Sequence, residues 1–126
     1  TCVVTATGSQ NVTGRTVFAG AMWYHPSVRG LGLPNIMSRI ARCTAHTVFG
    51  TDYTVSMISE SVMQSDLGRK SGHANVDWAV HLNNSMYGDV RFAVVWTNAD
   101  ELALDARAFL NQLRREKLDA RLLRQA

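Results

Sequence analysis

The sequence is short of cysteine and has no long apolar run, no internal repeat and no low-complexity tract. Each shortage closes a class of function. Its two cysteines, Cys2 and Cys43, form no C-x-x-C pair and are joined by no paired-histidine spacing, so no metal site is expected and a reducing cytoplasm suits the chain. No segment approaches the ~18 consecutive apolar residues of a membrane span, and TCVVTATGSQ lacks the basic start and apolar stretch of a secretory signal. No membrane partner is expected.

What is present is a chain of 126 residues, 46% hydrophobic and 18% charged, enough for one compact domain over 1–126. The net charge is only +3. Much of the basic excess falls on Arg114, Arg115, Lys117, Arg121 and Arg124, spread along an amphipathic helix. Such spacing describes a solvated helix face, and nucleic acid is not expected as a partner.

The pattern predicts the order β-β-α-β-α-β-β-α. CVVTAT, the turn formers GSQNVTGR and the apolar run Val17 to His25 read as a hairpin whose second strand is central and covered on both faces. Pro34 is pre-set for the first helical position, and Ile36, Met37, Ile40, Ala41, Thr44 and Val48 are spaced for one buried face up to a stop at Gly50. TDYTVSMI reads as a strand and SESVMQSDLGRKSG as a short helix. HANVDWAVHL and DVRFAVVWT read as an antiparallel pair joined by NNSMYG. Asn98 and Glu101 form a capping box for a helix from Ala99 to Arg115. A helix crossing between two strands makes the class α/β, with a mixed sheet.

YHPSVRGLGLPN carries Gly30 and Gly32 between a strand and a helix. Backbone N–H groups converge where a helix opens, and glycine lets an anion approach them, although glycine turns also serve only to join elements. No Gly-Lys-Ser/Thr follows and no third glycine completes a dinucleotide fingerprint, so triphosphate and NAD readings fall.

Strand, His-Pro-x-x-Arg-Gly-x-Gly-Leu, amphipathic helix and strand, over Val17 to Ile58, resemble the cofactor core of the GNAT N-acetyltransferases. The resemblance implies a GNAT-like, mostly antiparallel mixed sheet flanked by helices, and acetyl-CoA as co-substrate with a small-molecule or protein amine as acceptor. It places Arg29, Gly30, Leu31, Gly32, Leu33 and Asn35 in the pyrophosphate loop, with Pro34 where the family carries glycine or alanine and thus without an N–H. Trp23, Tyr24 and His25 on one strand, and Val55 to Ser59 on another, would flank the acetyl arm, with a backbone N–H at Tyr24 or His25 as oxyanion donor. The likeness continues faintly to Trp96, through an Arg69 to Gly72 element. The family's opening strand and two helices have no counterpart before Thr1, so a fragment or a short relative is expected.

Direct acyl transfer needs a base for the amine and a proton for the leaving thiolate. His25 and Glu60 are the candidate bases; a surface or packing residue and a helix N-terminal charge are their structural alternatives. The position where many relatives carry an acid tyrosine is Gly68, leaving Ser61, Ser65 or a water. His73 and His81 rank lower, and His46 reads as structural. Trp78, Trp96, Phe92 and Tyr53 are expected to fill the core. Asp52, Asp77 and Asp89 suit either strand ends facing a cationic acceptor or solvated turns. An apolar last strand, Phe92 to Trp96, would let a homodimer complete the acceptor site. A degenerate GNAT-fold CoA-binding or protein-interaction module is the alternative function.

Overall fold

A computed structural model describes residues 1–123, except the side chains of residues 69 and 118–123. Arg124 and the side chains of Arg69 and Arg121 therefore lie outside the described residues. Five strands, β1 (Cys2–Val4), β2 (Thr16–Phe18), β3 (Tyr53–Ser59), β4 (Asn75–Ser85) and β5 (Gly88–Asn98), form one sheet in the order β1-β4-β5-β3-β2. Only β2 and β3 are parallel; the other three pairings are antiparallel. The helices are α1 (Leu33–Phe49), the short α2 (Glu60–Gln64) and α3 (Asp66–Arg69), and α4 (Ala99–Leu123). No helix among the described residues is long and apolar enough to cross a membrane.

Local chemistry explains the best-formed elements. Glycines in the left-handed conformation bound α1: Gly32 at φ 71° and Gly50 at φ 58°, whose N–H returns to the His46 carbonyl at 2.8 Å. Pro34 occupies the second helical position rather than the first, where its missing N–H is equally harmless. At the start of α4 the expected capping box is complete: Glu101 N–H donates to Asn98 Oδ1 at 2.8 Å, and Asn98 N–H donates to Glu101 Oε2 at 2.9 Å. β4 and β5 close with only Met86 and Tyr87 between them, so the hairpin is longer and its turn tighter than NNSMYG suggests. α4 likewise runs eight residues past the expected Arg115.

Four expectations need correction. β1 and β2 are not a hairpin, since they sit on opposite edges of the sheet, paired with β4 and β3 respectively. The strand expected from Val17 to His25 ends at Phe18 and is an edge strand, because Gly20 and the left-handed Ala21, at φ 57°, break the extension. The apolar stripe of α1 is not buried: Ile36, Met37, Ile40 and Val48 face solvent, and the deepest residue of the helix is Arg42. Nor do the aromatics form the core. Phe92, Tyr53, Trp78 and Trp96 are half-buried, while Ala79, Ala93, Val95 and Leu102 are the fully enclosed apolar residues.

α1 packs on β3 and α4 on β5, with α1 and α4 also touching each other. Alternation along β5 puts Ala93, Val95 and Thr97 on one face, all buried. β5 is paired on both sides, so Phe92 to Trp96 offer no free edge to a second copy.

Candidate functional site

β2 and β3 run side by side only briefly. Register holds from Thr16↔Tyr53 to Phe18↔Val55, and Ala19 N–H makes a last bond to the Val55 carbonyl at 2.8 Å. Beyond it the strands part. Ser56 to Ser59 then pair only with β5, so β2 does not cover the other edge of this part of β3.

The segment from Tyr24 to Asn35 is an exposed turn followed by the start of α1. His25 caps the 3-10 turn Pro26–Val28: its Nδ1 accepts from Ser27 N–H at 3.3 Å and lies 2.7 Å from Ser27 Oγ. Arg29 donates from Nε to the Tyr24 carbonyl at 3.1 Å and lies 5.9 Å from the centre of the Trp23 ring, which also meets His25 edge-on. Its two terminal nitrogens have no partner among the described residues. Gly30, at φ 83°, and Gly32 both look into open space, with no atom within 4 Å of where a Cβ would stand. Leu31 is exposed, and Leu33, Pro34 and Asn35 are half-buried in the first turn, which contains no acidic residue. Asn35 N–H bonds the Gly32 carbonyl at 3.1 Å, and its side-chain Oδ1 is enclosed with no partner. Tyr24 directs its hydroxyl to Met22 Sδ. Helix-end polarity, an unpaired guanidinium end and two uncovered glycines together make this turn receptive to an anion.

Glu60 belongs to a different cluster. Its carboxylate lies 3.4 Å from Arg91 Nη1, while Arg91 Nε donates to His81 Nε2 at 3.0 Å and the guanidinium stacks on Trp78. His25 and Glu60 are thus engaged by separate partners. Ser61 Oγ is 3.1 Å from Ser59 Oγ, and Ser65 donates to the Val62 carbonyl at 2.6 Å. Gly68 is buried, and a Cβ there would lie 2.5 Å from the Met63 backbone, so no larger residue fits without rearrangement. The three aspartates considered for an acceptor each brace a backbone N–H instead: Asp52 that of Arg15, Asp77 that of Gly8, and Asp89 that of Asn84. His46 holds the Thr51 carbonyl, fixing the link from α1 to β3. Among the described residues no group of three His, Cys, Asp or Glu is gathered to hold a metal.

Sequence reasoning missed a buried polar seam. Asp105 of α4 receives Arg39 through two bonds, at 2.9 and 3.1 Å, and stands 3.7 Å from Arg42. Arg42 is 2% exposed and donates to the carbonyls of Ser38, Ser71 and Gly72, with His73 Nδ1 at 3.3 Å. Burial lowers the Arg42 pKa against the pull of Asp105. Burial, then Arg42 and Arg39, push His73 down to about 4, so it is neutral at physiological pH. Gly72, at φ 72°, is required here, since a Cβ would fall 2.5 Å from Asp105 Oδ2 and 2.7 Å from Arg39 Nη2. The signal was available: two arginines three apart in a helix that contains no acid need a carboxylate from elsewhere.

Compared with family models, curated proteins and solved structures, the chain matches none.

Proposed function

We propose that the protein is an N-acetyltransferase of the GNAT kind, moving the acetyl group of acetyl-CoA to an amine of a small molecule or protein in a reducing cytoplasm. The observation that carries this reading is the open end of the β2-α1-β3 unit. Parallel strands separate beyond Phe18 and Val55, and the glycine turn stands at the start of α1. An anion such as the CoA pyrophosphate fits against Gly30 and Gly32, with Arg29 supplying positive charge, and the acyl arm enters between the parted strands.

In the transfer, a neutral amine nitrogen bonds to the thioester carbonyl carbon and the carbonyl oxygen gains charge. The C–S bond then breaks, CoA leaves as thiolate, and the proton shed by the amine is returned to sulfur. The N–H groups of Tyr24 and His25 have no partner among the described residues and suit the oxyanion. Of the two candidate bases, His25 lies in the cofactor turn with Nε2 unbonded, while Glu60 is held by Arg91.

A second reading, a degenerate GNAT-fold module that binds CoA weakly or not at all and serves in protein interaction, is favoured by Gly68 and Pro34. The first has no room for an acid side chain, and the second removes one pyrophosphate donor. Calorimetric titration with acetyl-CoA, followed by thiol release across a panel of amines, separates them. Binding with turnover supports the enzyme, tight binding without turnover supports the module, and absence of binding overturns the enzyme.

A further inference from the structure

Ser27 takes no part in the transfer proposed above, yet its hydroxyl is aimed at an imidazole. Nδ1 of His25 accepts the Ser27 N–H at 3.3 Å, so this nitrogen carries no proton and the neutral ring holds its proton on Nε2. The 2.7 Å contact between Nδ1 and Ser27 Oγ therefore runs one way: the hydroxyl donates and the imidazole accepts. A serine hydroxyl bonded to an unprotonated imidazole nitrogen is a nucleophile beside its base. Both side chains are exposed, so a substrate reaches them without any opening of the fold.

The rest of the turn supplies what an acyl reaction needs. Arg29, bonded through Nε to the Tyr24 carbonyl at 3.1 Å, closes the loop that contains Ser27 and keeps its terminal nitrogens without a partner among the described residues. The Gly30 N–H likewise has none among them, and no atom stands within 4 Å of where a Gly30 Cβ would lie. These groups are donors for an oxyanion. Trp23, 70% exposed, meets His25 edge-on and lies beneath Arg29, which gives a small apolar acyl group a surface beside the pair.

We propose that Ser27 is a covalent nucleophile with His25 as its base, acting on esters or thioesters of small apolar acyl groups. Ser27 Oγ bonds to the acyl carbonyl carbon while its proton passes to His25 Nδ1, and the carbonyl oxygen takes the charge. The C–O or C–S bond then breaks, the leaving group takes that proton and departs as an alcohol or thiol, and an acyl-serine remains. Water attacks the acyl-serine with His25 again taking and returning a proton, so a carboxylic acid is released and the hydroxyl is restored. No CoA is required, and the activity stands whether or not the turn binds a pyrophosphate.

The ester para-nitrophenyl acetate tests this in a Cys2→Ser, Cys43→Ser background, where no thiol competes for the acetyl group. The chain should release nitrophenol in a rapid burst of about one per chain. Fragmentation of the tryptic peptide 16–29 should place the acetyl group on Ser27, and mapping the parent chain reads the same site even if the cysteine-free background fails to fold. Ser27→Ala should abolish the burst, and His25→Gln should slow it about a hundredfold. Both positions are exposed, so Tm should stay unchanged in the two variants and loss of the burst is not loss of the fold. A burst that survives Ser27→Ala, an adduct on other residues alone, or a His25→Gln variant as fast as its parent overturns the proposal. The assay contains no CoA, so its failure is read separately from failure of the acetyl-CoA titration.

Discussion

Two regions of this molecule use the same three residue types to opposite ends. In the seam under α1, Arg42, His73 and Gly72 are enclosed and bonded to one another's surroundings, with Asp105 balancing the charge. In the turn before α1, Arg29, His25 and Gly30 are exposed; the guanidinium has free nitrogens and the glycine faces nothing. Residue type alone separates neither role. What differs is satisfaction: buried polar groups must find partners within the protein, while groups that meet a ligand keep donors in reserve.

The sharpest way to break the comparison is to substitute the two arginines alike. Arg42→Met leaves the carbonyls of Ser71 and Gly72 without their donor while Arg39 keeps Asp105 paired, and urea unfolding should show a loss of about 2–4 kcal/mol; Arg29→Met should stay within about 0.5 kcal/mol. The glycines come next. Gly72→Ala, combining a left-handed φ with a clash on Asp105, should cost about 3 kcal/mol, against about 1 kcal/mol for Gly30→Ala, which has strain without a clash.

Acid tests the histidine. His73 folded near 4 and unfolded near 6.5 means the unfolded chain binds more protons between those values. Its contribution, about 2–3 kcal/mol, is therefore present in full above ~6.5 and lost as pH falls to ~4. A urea series across that range should show the slope, and His73→Gln should flatten it. The smallest effect is on the turn itself: Gly32→Val should weaken acetyl-CoA binding about tenfold by calorimetry, since a side chain there enters the space a phosphate would use. Unchanged affinity would move the cofactor elsewhere.

Elements whose ends are encoded locally were legible. Gly50 stops α1, the Asn98–Glu101 box starts α4, and the β4–β5 alternation between turn residues announces a hairpin. Long-range choices were not. The turn formers after β1 announce a change of direction, but nothing in them says that Cys2–Val4 will pair with β4 instead of β2. The period of α1 correctly groups Ile36, Ile40 and Val48 on one side, yet periodicity identifies a shared face and not what covers it. Here the enclosed side carries Arg42, whose charge meets loop carbonyls and Asp105 of α4. In the candidate site, the glycines and Arg29 could be named from sequence, whereas the commitment of Glu60 to Arg91 required two distant segments to meet.

The pairing of β1 with β4 has a consequence for synthesis. Of these five strands β1 is made first, yet it docks onto residues Val80–Leu82, and β2 must wait for β3 across the whole of α1. During elongation both early strands are without their partners, and their unpaired edges are open to other nascent chains. α1, by contrast, closes bonds only among near neighbours and can form as it emerges. The two edge strands thus depend on sequence-distant partners, whereas α1 depends on its neighbours alone.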